Sequence, residues 1–89
     1  MAVLITAEVP GQTKEGYDGM LSALAGPIKA TPGFILHAAY ESDGGWHVIE
    51  VWDTQEAATD FFVKHIHPNL PPGVKPKRKF HELHSIVRQ

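Results

Sequence analysis

The residues whose types and spacing suit them for chemistry are Glu50, His37 and His84. Glu50 lies in Trp46-His47-Val48-Ile49-Glu50-Val51-Trp52, a run of β-branched and aromatic residues that fit a pleated strand. A side-chain period of two puts Trp46, Val48, Glu50 and Trp52 on one face and His47, Ile49, Val51 and Asp53 on the other. A mid-strand carboxylate between two tryptophans is partly desolvated, which disfavours its anion unless a partner stabilises it. An imidazole is such a partner, and a His–Glu pair can act as a general base with its orienting group. The competing reading is a satisfied polar pair at a sheet edge.

A tight turn supplies that partner. Ser42-Asp43-Gly44-Gly45 reads as a hairpin, because Asp-Gly suits a type I′ turn. With Asp43 and Gly44 as the loop, Ser42 pairs with Gly45. The register then sets Tyr40 against His47, Ala38 against Ile49, His37 against Glu50 and Ile35 against Trp52.

The remaining elements follow in order. Residues 2–9 predict a strand ended by Pro10-Gly11. Thr13 can cap a helix to about Ala30, with Tyr17, Met20, Leu21, Leu24 and Ile28 as its apolar stripe. Gly16, Gly19 and Gly26 weaken it and suggest close approach to a sheet, and Pro27 predicts a kink or an end near Ala25. Thr31-Pro32-Gly33 is a turn, and Phe34 to Glu41 a strand. Asp53 or Thr54 caps a second helix, with Asp53 and Glu56 at capping-box spacing. Ala57, Ala58, Phe61, Phe62 and His65 follow at helical spacing. Residues 68–79, with four prolines, predict a long connection. Phe80 to Val87 predicts the last strand, with Phe80, Glu82, His84 and Ile86 on one face.

The order βαββαβ is the split-βαβ, ferredoxin-like unit of the α+β class, a four-stranded antiparallel sheet with two helices on one face. The helix-facing side gathers His37, Glu50, Trp46, Trp52 and His84 opposite Tyr17, Phe61, Phe62 and His65. A mostly apolar pocket with a few convergent polar groups is the usual make-up of a small-molecule site. This makes Tyr17, Trp46, Trp52, Phe61, Phe62 and His65 candidate substrate contacts. The aromatics read equally as core, and His65 and His67 as residues favoured by a helix C-terminus. The other face carries some of Phe34, Leu36, Ala38, Ile49, Val51, Leu83 and Val87. That much apolar sheet calls for a second sheet, and a homodimer joined as a dimeric α+β barrel is the simplest source.

Composition sets the outer bounds. Eighty-nine residues predict one domain, spanning 1–89, that is marginal as a lone chain. Without cysteine there is no disulfide or thiolate metal site to help. A net charge of −2 gives no reason to bind nucleic acid. Lys75, Lys77, Arg78 and Lys79, half of the eight Lys and Arg residues, read as a solvated loop or an anion-steering rim. No metal site is expected, since His65 and His67 do not share a helix face. No run is long and apolar enough for a membrane span, and the opening stretch does not read as a signal peptide. A cytoplasmic protein is expected.

The opening strand with Pro10-Gly11, Thr31-Pro32-Gly33-Phe34, Gly45-Trp46, Glu50-Val51-Trp52-Asp53, Glu56-Ala57, Phe61-Phe62 and Glu82-Leu83-His84 together resemble the antibiotic biosynthesis monooxygenase (ABM) superfamily over nearly the whole chain. The resemblance implies a dimeric α+β barrel. It also implies one of several activities: cofactor-free oxygenation of phenols and quinols, haem degradation or isomerisation. Haem-degrading relatives use an Asn on the first strand with a Trp and a His on or just after the second helix. Here the only Asn is Asn69, and Phe61 lies where that Trp would fall, so the haem reading is disfavoured. Cofactor-free oxygenation needs a base, for which Glu50, His37 or His84 would serve, with Trp52 and Phe61 holding an aromatic substrate. The alternatives are a non-catalytic ligand-binding barrel, or an isomerase or cyclase using the same base.

Overall fold

In the computed structural model, which describes residues 2–89, β1 (Val3–Glu8) and β3 (Gly45–Trp52) form the centre of a four-stranded sheet. β2 (Phe34–Ser42) flanks β3 and β4 (Lys77–Glu82) flanks β1, all antiparallel, in the order β2-β3-β1-β4. The helix α1 (Lys14–Lys29) connects β1 to β2, and α2 (Gln55–Phe61) follows β3. The chain therefore has the expected ferredoxin-like α+β order.

Asp43 and Gly44 both adopt positive φ, 53° and 74°, as a type I′ turn requires. Ser42 pairs with Gly45, Tyr40 with His47, Ala38 with Ile49 and His37 with Glu50. The register breaks only at its far end. A bulge between Phe34 and Leu36 puts Phe34, not Ile35, against Trp52. The extra residue turns Phe34 toward the helices, where its ring meets Trp52 edge-on at 5.4 Å. Gly33, at φ 92°, starts the strand, and its carbonyl accepts the Asp53 N–H at 2.7 Å.

Val3 and Ile5 of β1, Trp52 of β3, Ile28 of α1 and Ala58 and Phe61 of α2 pack into one core between sheet and helices. Trp52 is 0% exposed. A second, smaller cluster joins Ala7 and Val9 to Val74 of the Pro-rich connection. That connection is therefore pinned to the sheet rather than free: Val74 is buried, and its N–H donates to the Pro71 carbonyl.

Several boundaries differ from the expectations. α1 runs through Pro27 to Lys29, because Ile28 is buried and Thr31 caps the end, its hydroxyl donating to the Pro27 carbonyl at 2.8 Å. Gly19 and Gly26 do not mediate a close approach, since a Cβ at either would meet no atom within 4 Å. Thr54, not Asp53, caps α2 by accepting the Ala57 N–H at 3.1 Å, so the Asp53–Glu56 spacing goes unused. After Phe61 the helix widens into a π turn, Phe62–Ile66, and then tightens into a 3-10 turn, His67–Asn69.

β4 covers Lys77–Glu82 instead of Phe80–Val87. Its limits are those of its partner: Lys77 pairs with Glu8 and Glu82 with Val3, and the Leu83 N–H makes a last bond to the Ala2 carbonyl. His84 therefore has no strand to pair with and lies exposed beyond the sheet, and Val87 is 95% exposed.

The sheet face away from the helices holds Leu36, Ala38 and Ile49, with Tyr40 stacked on His47 at 5.0 Å. Leu36 is 41% and Tyr40 48% exposed. Among the described residues, no helix is long and apolar enough to cross a membrane.

Candidate functional site

Period-two alternation on β3 points Glu50 at the helices, where it is 5% exposed. A buried carboxylate is tolerable only when its lone pairs are used. Here both oxygens accept. His37, opposite Glu50 on β2, reaches Oε2 through Nδ1 at 2.7 Å, and Trp52 donates Nε1–H to Oε1 at 3.0 Å. The far side of the imidazole is also engaged: His37 Nε2 lies 2.7 Å from the Tyr17 hydroxyl on α1.

The hydrogen-bonding inventory sets the direction of this chain. A carboxylate only accepts, so the His37 Nδ1–H donates to Glu50, and in the neutral tautomer of that imidazole Nε2 is an acceptor. Tyr17 then donates to Nε2, and the lone pairs of its oxygen remain for another group. Burial, then the charges of Glu50 and Asp18, push the Tyr17 hydroxyl above its ordinary value, so it stays protonated near neutral pH. Its ring is held flat against Trp46, centroids 5.2 Å apart.

This relay opens on a cleft of about 80 Å³ between sheet and helices, whose walls include Ile5, Val48, Met20 and Phe62. A second space of about 50 Å³, lined by Leu24, Ile28 and Phe61, reaches the same three residues, Tyr17, His37 and Glu50. Leu70 and Pro76 bring the Pro-rich connection to the cleft wall.

The π turn begins where an ordinary helical step of about 100° divides the Phe61–Phe62 pair. Phe61 goes into the core, 5.6 Å from the Trp52 ring, while Phe62 faces the cleft. Local widening of a helix in this way recurs at functional sites.

Arg78 of β4 completes the cleft. Its guanidinium sits 4.0 Å above the Phe62 ring and 5.0 Å from the Phe80 ring. Burial lowers its basicity from the ordinary arginine value, and Glu50 partly offsets that.

Glu50, His37, Tyr17, Trp46 and Phe62 thus converge on one cleft. Trp52 and Phe61 belong to the core beneath it, and Trp52 reaches the site only through its hydrogen bond to Glu50. His65 packs on Phe61, 4.7 Å between centroids, and lines neither space. His84 is exposed past the end of β4 and lines neither space. Sequence reasoning put Arg78 in a solvated loop or an anion-steering rim and missed its place on a strand in the cleft wall. The signal was alternation: Arg78 and Phe80 are two apart, with lysines between and before them. Among the described residues, no three His, Asp or Glu side chains are grouped to hold a metal.

No protein-family model and no curated protein sequence matches the chain. Solved structures do. SnoaB, a cofactor-independent oxygenase from Streptomyces nogalater, superposes with a TM-score of 0.72 at 14% identity, over 99% of this chain and 98% of SnoaB. Rv0793 from Mycobacterium tuberculosis gives a TM-score of 0.75 at 15% identity, over 99% of this chain and 100% of Rv0793. MhuD, a heme-degrader from Mycobacterium tuberculosis, gives 0.63 at 17% identity, over 99% of this chain and 100% of MhuD. At end-to-end coverage the chain has the fold of these proteins, a four-stranded antiparallel sheet with helices on one face.

Proposed function

We propose that the chain is an ABM-like enzyme that oxygenates a small aromatic molecule without a metal or flavin. The observation that carries this reading is the Tyr17–His37–Glu50 relay ending on an apolar cleft. A phenol entering the cleft gives its proton to the Tyr17 oxygen as Tyr17 gives its own to His37 Nε2. The products are a substrate phenolate, a neutral Tyr17 and an imidazolium paired with the Glu50 carboxylate. The phenolate passes one electron to O₂, and the radical pair combines at a ring carbon to form a hydroperoxide. Loss of water leaves a quinone. One O₂ supplies one oxygen atom to the product and one to water, so the step needs no outside reductant. The shared fold with SnoaB, a cofactor-independent oxygenase, is consistent with this chemistry.

The cleft size bears on the substrate. About 80 Å³ is well below the ~300–1,000 Å³ of ordinary ligand pockets. It admits the reacting edge of one ring and leaves a polycycle largely outside unless Phe62 or Trp46 moves. The same observation favours a second reading, a ligand-binding or accessory barrel without turnover. An isomerase or cyclase would use the same relay without O₂.

The open face of Leu36, Ala38 and Ile49 supports assembly as a homodimer, sheet against sheet.

Oxygen consumption with a hydroquinone or naphthol probe tests the function. The wild-type protein is expected to consume one O₂ per quinone formed. Glu50→Gln is expected to lower the rate by about 10²–10⁴-fold, the range of general-base catalysis. Full activity in Glu50→Gln would remove the relay from the mechanism. Product formed at the same rate without O₂ would identify an isomerase or cyclase. Neither O₂ uptake nor product, with a ligand retained in native mass spectrometry, would identify the accessory barrel.

A further inference from the structure

We propose that the second space, between α1, α2 and the sheet, is a dioxygen subsite: it takes a small apolar gas and holds it against the relay while an aromatic ring occupies the cleft. This rests on reading the cleft as the site of an oxygenation.

The first ground is place. Leu21, Leu24 and Ile28 of α1 and Phe61 of α2 wall the space on its own side. It shares Tyr17, Met20, His37, Glu50 and Ile66 with the cleft, so the two spaces adjoin across the relay. A molecule in each would be neighbours without competing for one volume. Two reactants held side by side react as if they were one molecule, which is the advantage of a separate place for the second substrate.

The second ground is chemistry. The side chains of Leu21, Leu24, Ile28 and Phe61 offer no hydrogen bond. The polar groups at the border are already engaged: Glu50 accepts from His37 and Trp52, and His37 is bonded on both nitrogens. Among the described residues, no buried side-chain nitrogen or oxygen lacks a partner. A water held inside a protein needs about two to four polar partners, and this space has little to give it beyond the spare lone pairs of the Tyr17 oxygen. An apolar molecule needs none, so the walls favour O₂ over water.

The third ground is size. The space of about 50 Å³ exceeds the roughly 10–15 Å³ that one water-sized guest requires, and O₂ is only slightly bulkier than water. It falls well short of the roughly 150 Å³ of a cavity that takes benzene, so an aromatic ring is shut out. Entry is apolar as well. Leu21, at the outer edge, is 38% exposed, so a dissolved gas meets hydrocarbon at the mouth.

The probes are xenon and dissolved O₂, each applied under pressure to the full-length protein with labelled Leu, Ile and Val methyl groups and no phenol present. O₂ is paramagnetic and speeds the relaxation of methyl protons beside which it dwells. Leu24 and Ile28 are expected to relax several times faster with added O₂ than Val87, which is 95% exposed, and xenon to shift the same two residues. Leu24→Trp fills the space and is expected to abolish both effects at Ile28. Leu21→Trp fills it from the exposed edge, where a larger ring does not disturb the core, and is expected to do the same. In turnover with a naphthol, either variant is expected to raise the KM for O₂ about fivefold or more while the KM for the naphthol stays within about twofold. Relaxation at Leu24 and Ile28 no faster than at Val87, or an enhancement that persists in both tryptophan variants, overturns the subsite. A protein that gathers gas in this space yet never consumes O₂ with a phenol keeps the subsite and loses the oxygenase reading. One that shows no methyl enhancement, and consumes O₂ with an unchanged KM in both variants, keeps the function and loses the subsite.

Discussion

Trp52 donates its indole N–H to the Glu50 carboxylate two residues earlier on the same strand, at 3.0 Å. Side chains at i and i+2 share a strand face, so an aromatic two positions on can reach back along that face to a carboxylate. The consequence is a division of labour. One carboxylate oxygen is anchored in the core by a fully buried tryptophan, and the other turns outward to orient His37.

Replacing Trp52 by Phe removes that anchor while keeping a ring in place. It leaves a buried carboxylate oxygen unsatisfied and a small void beneath it. A loss of about 2–4 kcal/mol is expected, from the unmet acceptor and the lost packing. Urea denaturation measures it. A change under 0.5 kcal/mol would mean that Glu50 is held by His37 alone.

Tyr17 predicts a feature of the alkaline limb. Its ionisation is displaced above the ordinary value of 10.0, by burial first and then by Glu50 and Asp18. Below that value the folded and unfolded chains both hold the proton, and the stabilisation is fully present. As pH rises past it, the unfolded chain releases a proton that the folded chain keeps, so stability falls until the folded phenol ionises too. Tyr17→Phe is expected to make the fall in urea midpoint shallower above about pH 10. It should also remove tyrosinate absorbance that develops above pH 10 in the wild-type protein, where Tyr17 is one of only two tyrosines. An unchanged alkaline limb would contradict this assignment.

The cap of α2 separates two neighbouring residues. Thr54→Ala removes the acceptor for the Ala57 N–H and is expected to cost about 1 kcal/mol. Asp53→Ala, at an exposed position with no capping bond, should stay within about 0.5 kcal/mol. Thermal unfolding of the two variants side by side decides it, and equal losses would show that the helix start is shared between them.

Ile49 tests assembly. It stands at the middle of the open sheet face, paired with Thr6 on one side and Ala38 on the other. If two such faces pack together, Ile49→Lys places like charges across a two-fold seam and should shift sedimentation from dimer to monomer at micromolar concentration. A wild-type protein that sediments as a monomer would defeat the sheet-to-sheet arrangement at once.

The His37–Glu50 pairing was legible before the structure because one Asp-Gly turn sets the register of everything that follows on both strands. Legibility decayed with distance from that turn, and the bulge at Phe34–Leu36 is where it failed. Tyr17 was visible as one residue of an apolar stripe. Its bond to His37 depends on how α1 sits over the sheet, which no local pattern encodes. Trp52 was placed in the pocket because strand periodicity gives a face but not a depth, whereas Phe61 is at once core and a wall of the second space. Arg78 was read as loop or rim rather than strand for another reason: a basic, proline-flanked run has low strand propensity, and only pairing with β1 makes it a strand. His84 was the reverse error, since alternation continues in the sequence after the partner strand has ended.

The π turn at Phe62–Ile66 has a consequence for insertions and deletions. Such a turn is what an α-helix becomes when one residue is added to it, and here the His67 N–H closes the widened ring on the Phe62 carbonyl. Deleting Val63 or Lys64, both exposed, would restore the regular ladder and rotate everything after it by about 100°. Ile66 and Leu70 would turn off the cleft without any change in their chemistry. One wall of the cleft is therefore specified by a residue count, and two chains of this fold with the same cleft residues but one residue's difference in this segment would not share a ligand.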